Sequence, residues 1–252
     1  MSLSPLISII TITYNASSTV ERTILSVDSQ LFDDYEHIIV DGKSTDDTLL
    51  VAKSIHNPNR IIVSEPDKGI YDAMNKGLKL SKGQYVILLN SGDKFHNNET
   101  LTKIANAIKS NSTCDIVYGQ TDLVDDSGKF LAPRHLTAPA NLQWHDFARG
   151  MLVCHQAFIV NRNIAPAYNL NYRFSADYDW CIRCLQKSQS NVFIDDVLID
   201  YLSEGTTTAN RRKSLIERFQ IMTNYYGFWS TLMRHFSFIE RFIKHKKALK
   251  KA

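Results

Sequence analysis

Four short runs of β-branched and other apolar residues alternate with helical segments in the first third of the chain. The runs cover residues 6–13, 36–40, 60–64 and 85–89. Between them, apolar residues recur at helical spacing, as in Val20, Ile24 and Val27 after the first run. Strands that alternate with helices form right-handed βαβ units. The sequence therefore predicts an α/β fold with a mostly parallel central sheet and helices on both faces.

The pattern becomes less regular after about residue 115. One more strand is predicted at 115–119, a hairpin turn at 125–128, a helix over 175–188 and a late strand over 192–197. Residues 133–155 form a long polar stretch, and loops of that length are more often functional than structural. We predict one domain over residues 1–210, followed by C-terminal helices over 211–252.

The composition limits the class of protein. A chain of 252 residues is long enough for one α/β domain with a buried core. It has no run of 18 apolar residues and no basic and apolar N-terminal leader, so we expect a cytoplasmic protein. The four cysteines, Cys114, Cys154, Cys181 and Cys184, have no further Cys/His pair at zinc-ligand spacing. We expect them to be reduced core residues.

The positive charge is concentrated at the C-terminus. The net charge is +3, but residues 209–252 carry eleven Lys/Arg against two Glu, while residues 1–208 carry eighteen Lys/Arg against twenty-four Asp/Glu. Apolar residues from Trp229 to Ile243 recur at helical spacing among these basic residues. One interpretation is that residues 228–252 contact the inner face of the cell membrane as a peripheral anchor. The other is that they pack on the body or on a second subunit of a homodimer. We expect no nucleic-acid partner, because the body is acidic and carries no binding motif.

An Asn or Asp lies just beyond each of the four apolar runs. These residues are Asn15, Asp41, Asp67 and Asp93. Each alone is explained by the preference of such residues for turns, but in a parallel sheet they lie together at the edge where ligands bind. A divalent cation, Mg²⁺ or Mn²⁺, allows an acidic edge to hold a phosphorylated ligand. Asp93 is the preferred metal ligand, because it follows a buried strand and Gly92 permits close approach of the backbone.

Two common phosphate-binding loops are absent from the sequence. No G-x-G-x-x-G follows the first strand, and no G-x-x-x-x-G-K-[ST] occurs. These absences argue against a dinucleotide-dependent dehydrogenase and against a P-loop NTPase.

Five sequence blocks follow one another in a fixed order. They are the first strand with Thr-Tyr-Asn at 5–15, Asp-Gly-Lys-Ser-Thr-Asp-Asp-Thr at 41–48, the block from Glu-Pro-Asp-Lys-Gly at 65–77, Leu-Leu-Asn-Ser-Gly-Asp at 88–93 and Ser-Ala-Asp-Tyr-Asp at 175–179. Together they resemble glycosyltransferase family 2, which has the Rossmann-like GT-A fold. Within that family, the sequence resembles bacterial enzymes of exopolysaccharide, capsule and O-antigen synthesis. The resemblance implies a nucleotide-binding half at about 1–115 and an acceptor-binding half at about 116–210.

The resemblance also implies a role for each matching residue. An inverting enzyme of this family transfers a sugar from a nucleotide-sugar donor, which we expect to be UDP-linked, to a saccharide or polyprenyl-linked acceptor. The implied nucleotide-binding residues are Thr13, Tyr14, Asn15, Asp41 at the nucleobase, Asp67 and Lys68 near the ribose and diphosphate, and Ser91. Asp93 is implied as the metal ligand and Asp177 as the general base. His155 and Gln156 lie on the acceptor side by resemblance, although a polar pair at the start of a strand explains them equally well.

The sequence departs from the family pattern in two places. Asn90 occupies the first position of the metal motif, where it can bind a cation through its carbonyl oxygen but more weakly than a carboxylate. Ala176 precedes Asp177 where the family has Glu, and Asp179 is a rival for the role of base, or a helix first-turn charge. Two other functions stay open: a non-catalytic binding protein for nucleotide sugars or saccharides, and a sugar nucleotidyltransferase, which would need a glycine-rich loop after the first strand. Residues 205–213 are either a flap over the diphosphate or a solvated loop.

Overall fold

The computed structural model describes residues 4–203 and 211–235. Most of the proposed flap, and the predicted tail beyond residue 235, lie outside these ranges. The described strands are β1 Ile7–Thr13, β2 Tyr35–Asp41, β3 Arg60–Ser64, β4 Tyr85–Leu88, β5 Lys94–Phe95, β6 Ile116–Val124, β7 Phe130–Pro133, β8 Phe158–Asn161 and β9 Asn191–Leu202. The α-helices are α1 Val20–Asp28, α2 Thr48–Ser54, α3 Ile70–Leu80, α4 Thr100–Ser110, α5 Ala176–Lys187 and α6 Arg211–Tyr226. Two short 3-10 helices cover Trp144–Arg149 and His155–Ala157, and residues 228–235 are again helical.

The strands form one sheet in the order β3-β2-β1-β4-β8-β6-β9-β5, with β7 paired to β6. Strands β1 to β4 pair in parallel, as predicted from the first third of the chain. The pair β6–β9 is also parallel, whereas β8 runs antiparallel to β4 and β6, β5 to β9, and β7 to β6. The α/β fold class is confirmed. The sheet is parallel in its first half and mixed in its second.

Strand β1 is buried on both sides because helices cover both faces of the sheet. Ile7 and Ile9 belong to one core with residues of α4, and Ile10 and Ile12 belong to the other with residues of α3 and α5. This alternation follows from the two-residue period of a strand. Met222 of α6 is buried in the second core, so part of the C-terminal segment packs on the sheet. The predicted domain boundary at residue 210 stays a prediction.

The four cysteines are free and buried. Burial raises the pKa of the Cys114 thiol to about 11 and that of Cys154 to about 12. Within the described ranges, no helix is long and apolar enough to cross a membrane.

Candidate active site

A cleft of about 1450 Å³ opens beyond the carboxyl ends of the parallel strands. This is the edge at which ligands bind in open α/β sheets. The structure brings most of the residues predicted from the sequence to this cleft: Thr13, Tyr14, Asn15, Asp67, Lys68, Asn90, Ser91, Asp93, His155, Gln156 and Asp177. Asp41 and Asp179 do not line it. The cleft therefore joins residues from both predicted halves of the domain.

The loop after β1 is tied to the loop after β2. Asn15 has a φ of 47°, a left-handed conformation that Asn tolerates better than most residues. Its backbone N–H donates to the Ser44 hydroxyl at 2.8 Å, and its side-chain oxygen accepts from the Thr45 N–H at 2.9 Å. Asn15 thus shapes one wall of the cleft, while the neighbouring Tyr14 ring is exposed on that wall.

Asp41 lies beneath the cleft surface. Its side chain is fully buried and accepts hydrogen bonds from Ser44 and from the Ser64 hydroxyl, the latter at 2.7 Å. The next residue, Gly42, lines the cleft instead of Asp41. A Cβ atom added at Gly42 would lie 2.4 Å from Asp67 Oδ2. In this structure Asp41 therefore holds the loop after β2. The nucleobase contact implied by the resemblance stays a prediction.

The loop that carries Asp93 is held from behind by α1. The Thr23 hydroxyl accepts from the Gly92 N–H at 2.9 Å and donates to the Asp93 carbonyl at 2.7 Å. Arg22 Nε donates to the Gly92 carbonyl at 2.6 Å. Gly92 has a φ of 99°, a conformation that favours glycine. These contacts fix the backbone of the loop and leave the Asp93 side chain directed into the cleft.

The Asp93 carboxylate is surrounded mainly by amide donors. Gln156 Nε2 donates to Oδ2 at 2.7 Å, and the Leu202 N–H donates to Oδ1 at 2.9 Å. Burial raises the pKa of this carboxyl to about 6, although these hydrogen bonds and the neighbouring His155 and Arg22 act in the lowering direction. A carboxylate in such surroundings gains stability from a proton or from a cation.

Three buried oxygens of residues that line the cleft have no hydrogen-bond partner in the described part of the chain. They are Thr13 Oγ1, Asn90 Oδ1 and Ser91 Oγ. Buried polar atoms without partners are uncommon in native proteins. A carboxylate together with amide and hydroxyl oxygens is the ligand set that Mg²⁺ and Mn²⁺ prefer. The residues of this loop therefore fit a divalent cation.

A second group of metal-ligand side chains lies outside the cleft. His96, Asp122 and Asp200 have potential ligand atoms within 4.8 Å of one another, and none of them lines the cleft. Both oxygens of Asp200 already have cationic or hydrogen-bonding partners, since His96 Nδ1 lies at 2.7 Å and Lys94 Nζ at 2.9 Å. The Asp93 loop, whose neighbouring oxygens lack partners, is the better candidate for a cation site.

Asp177 lies in the first turn of α5 and faces the cleft. Tyr71 donates its hydroxyl to Asp177 Oδ1 at 3.0 Å, and His155 Nδ1 lies 3.5 Å from Oδ2. Burial raises the pKa of the Asp177 carboxyl, but His155, the Arg218 charge and the Tyr71 hydrogen bond together outweigh burial, so that its pKa is lowered from the usual value. Asp177 is therefore ionised at neutral pH.

Asp179 has a different environment. It is buried, and its oxygens accept from Arg183 Nε at 2.7 Å and from the Tyr225 hydroxyl at 2.8 Å. It lines a separate, smaller cavity with these two partners. The geometry thus favours Asp177 over its rival for any chemistry in the cleft.

Two residues that the sequence analysis did not assign complete the surroundings of Asp177. Burial raises the pKa of Tyr71 well above its usual 10.0, so the hydroxyl remains a donor. Arg218 of α6 lines the cleft and stacks on Tyr178, with 5.4 Å between the guanidinium carbon and the ring centroid. Tyr71 lies within the sequence block at 65–77, so the sequence contained a signal for it. The sequence contained no such signal for Arg218, because only the packing of α6 on the body brings this residue to the cleft.

The family comparison identifies the class of protein. Residues 8–165 match the model for glycosyl transferase family 2. A PGL/p-HBAD biosynthesis glycosyltransferase of Mycobacterium bovis (strain BCG / Pasteur) is 36% identical over 189 residues, which cover 72% of this chain and 70% of the relative. The UDP-Glc:alpha-D-GlcNAc-diphosphoundecaprenol beta-1,3-glucosyltransferase WfgD of Escherichia coli is 23% identical over 226 residues, 87% of this chain and 86% of the relative.

Solved structures have the same fold. S. aureus TarS in complex with UDP-GlcNAc matches with a TM-score of 0.72 at 19% identity, covering 92% of this chain and 73% of that chain. The mannosyltransferase PcManGT from Pyrobaculum calidifontis, in complex with GDP-Man and Mn²⁺, matches with a TM-score of 0.65 at 15% identity. The match covers 100% of this chain and 82% of that chain.

The chain belongs to glycosyltransferase family 2. It is thus a glycosyltransferase with the GT-A fold, as the resemblance of its sequence blocks implied. The family assignment gives no support to the two alternatives, a sugar nucleotidyltransferase and a binding protein without activity.

Proposed function

We propose that this protein is an inverting glycosyltransferase that uses a nucleoside diphosphate sugar, UDP-linked as first choice, and a saccharide or lipid-linked saccharide acceptor. The observation that carries the proposal is the placement of Asp93 and Asp177 in one cleft, with opposite shifts of their pKa values. The names of similar proteins support it: WfgD is named for UDP-Glc and a diphosphoundecaprenol acceptor, and TarS was solved with UDP-GlcNAc. They also support a role in the synthesis of surface polysaccharide or glycolipid.

Asp177 acts as the general base in this proposal. Tyr71 and His155 fix the orientation of its carboxylate, and its low pKa keeps it ionised before the acceptor binds. As the acceptor oxygen bonds to the anomeric carbon, the bond from that carbon to the diphosphate breaks and the hydroxyl proton passes to Asp177. The nucleoside diphosphate leaves from the opposite face, so the anomeric configuration inverts.

Asp93 and the Asn90 carbonyl would hold a divalent cation, Mn²⁺ or Mg²⁺, at the diphosphate. When bound, the cation neutralises the negative charge that develops on the leaving group. Among the chain's own cations, Lys68 and Arg218 line the same cleft and favour a polyanionic ligand there.

The test is nucleotide release from UDP-, GDP- and dTDP-sugars in the presence of Mn²⁺, because slow hydrolysis of a donor requires no known acceptor. We expect release from one class of donor that is lost with EDTA and in Asp93→Ala. Asp195→Asn, a change at an exposed residue outside the cleft, is the matched control and should leave release unchanged. Nucleotide binding without release from any donor would contradict the proposed activity, and release that persists in EDTA would contradict the metal.

Membrane attachment through residues 228–252 is a separate part of the proposal. In the described portion, Trp229 is 76% exposed and Met233 is 70% exposed, on the helix over residues 228–235. Cosedimentation with vesicles that contain phosphatidylglycerol should exceed that with neutral vesicles, and Trp229→Ser should reduce it. Equal recovery with both vesicle types, together with a homodimer in size-exclusion chromatography, would favour the subunit interface instead.

A further inference from the structure

His155 lies between the metal loop and the proposed base. Its ring is largely buried at the floor of the cleft. Nε2 lies 3.3 Å from Asn90 Nδ2, and Nδ1 lies 3.5 Å from Asp177 Oδ2. One imidazole ring thus contacts a predicted metal ligand with one nitrogen and the predicted base with the other.

The partners of His155 determine which way the Asn90 amide points. An ionised carboxylate only accepts hydrogen bonds, so the nitrogen that faces Asp177 carries the proton. In the neutral ring that carries the proton on Nδ1, Nε2 is an acceptor, and the Asn90 amide nitrogen donates a hydrogen bond to it. The Asn90 oxygen then points away from the ring, and it is the buried oxygen without a partner in the described chain.

We propose that His155 is a positioning residue for the cation site: it holds the Asn90 amide by its nitrogen and so presents the Asn90 oxygen to the divalent cation. The inference rests on the proposed function, since it concerns the cation of that site. It also explains why the chain has Asn rather than Asp at this position. A carboxylate here would lack the N–H that Nε2 accepts, and it would be a third negative charge beside Asp93 and Asp177.

Gln156 supports the same arrangement from the next position in the chain. Its Nε2 donates to Asp93 Oδ2 at 2.7 Å, and its Oε1 accepts from the Cys154 thiol at 2.7 Å. The pair His155–Gln156 therefore orients both side chains that would bind the cation. Such outer partners commonly change metal affinity by about 10- to 100-fold when they are removed.

Two substitutions separate the two contacts of His155. A Gln side chain reaches about as far as Nε2, so His155→Gln can still accept from Asn90 but loses the donor to Asp177. An Asn side chain reaches about as far as Nδ1, so His155→Asn can still donate to Asp177 but loses the acceptor for Asn90. Both variants remove the same ring, and a purely structural role predicts similar effects of both.

The readout is Mn²⁺ affinity, measured from the electron paramagnetic resonance signal of free Mn²⁺ in the presence of UDP, with GDP in parallel. We expect His155→Asn to bind Mn²⁺ about 10-fold more weakly than the wild type, and His155→Gln to bind it within about twofold. Thermal melting of both variants without metal shows whether a loss of affinity merely follows a loss of folding.

Wild-type affinity in His155→Asn would overturn the inference, and so would an equal loss in both variants. If the wild type releases nucleotide from a donor sugar while His155→Asn keeps its Mn²⁺ affinity, only this inference fails. If the wild type neither binds Mn²⁺ with a nucleotide nor hydrolyses a donor, the proposed function fails with it.

Discussion

The substitution Asp93→Asn should stabilise the metal-free protein at neutral pH. Burial raises the pKa of this carboxyl from 3.8 to about 6. The folded state therefore binds the proton more tightly than the unfolded state does. The resulting stabilisation is fully present below about pH 4 and is lost as the pH rises through about 6. Above about pH 6, the folded wild type contains a buried charge that the Asn variant lacks.

The size of the effect follows from the shift. At about 1.4 kcal/mol per pKa unit, the rise to about 6 corresponds to roughly 3 kcal/mol of unfolding free energy at pH 7.5. The new amide can still accept from the Leu202 N–H, but Gln156 must rotate its own amide to remain bonded, at a cost of about 1 kcal/mol. The expected net gain is therefore about 2 kcal/mol, or a rise in Tm of about 4–8 °C.

Denaturant unfolding of both proteins in EDTA at pH 4 and pH 7.5 tests this reasoning. The advantage of Asp93→Asn should appear at pH 7.5 and vanish at pH 4. Added Mn²⁺ should stabilise the wild type at pH 7.5 but not the variant. Asp177→Asn is the control, and its effect should have the opposite sign. Because the pKa of Asp177 is lowered in the folded state, the charge of Asp177 stabilises the fold above about pH 4. The Asn variant should therefore be less stable than the wild type at pH 7.5. An Asp93→Asn variant that is no more stable than the wild type at pH 7.5, or whose advantage is the same at both pH values, would refute the explanation.

Three further changes have expected outcomes at the cleft. Asp177→Asn should lower the rate of sugar transfer by about 10²- to 10⁴-fold and leave calorimetric binding of Mn²⁺ and nucleotide nearly unchanged. A parallel loss of binding would contradict its proposed role as base. Gly42→Ala should weaken nucleotide binding, because its Cβ would lie 2.4 Å from Asp67 Oδ2 and displace that side chain; unchanged affinity by calorimetry would contradict this. Arg218→Gln removes a positive charge that lowers the pKa of Asp177, so the acid limb of the pH–rate profile should move to higher pH, and a profile that does not move would argue that the charge is screened.

The first half of the fold was predictable because its central strands are buried on both faces. Such strands appear as continuous β-branched runs, and the predicted run at 6–13 corresponds to β1 Ile7–Thr13, whose seven residues are all buried. The predicted late strand at 192–197 is longer in the structure, Asn191–Leu202. Its second part pairs with β6 after register shifts near Gln120. Pairing across an irregular register depends on contacts distant in sequence, which a local pattern does not contain.

The site residues were predictable to the extent that topology places them. Asn15, Asp67 and Asp93 follow parallel strands and do lie at the cleft. Asp41 follows a strand as well, but its carboxylate turns inward to the Ser44 and Ser64 hydroxyls. An Asx residue at a strand end can bind its own loop or a ligand, and the sequence pattern is the same for both.

The two carboxylates of the cleft have different surroundings, which support the different roles proposed for them. Burial of Asp93 outweighs the hydrogen bonds from its amide donors, so its pKa rises to about 6. Asp177 is buried as well, but its contacts with His155, Arg218 and Tyr71 together outweigh burial, so its pKa falls. Around neutral pH, Asp93 therefore has the environment that a cation improves most, whereas Asp177 is ionised without one. Different environments assign different roles to identical side chains in other active sites too. It follows that lowering the pH below about 6 should weaken Mn²⁺ binding at Asp93 before it protonates Asp177, the proposed base.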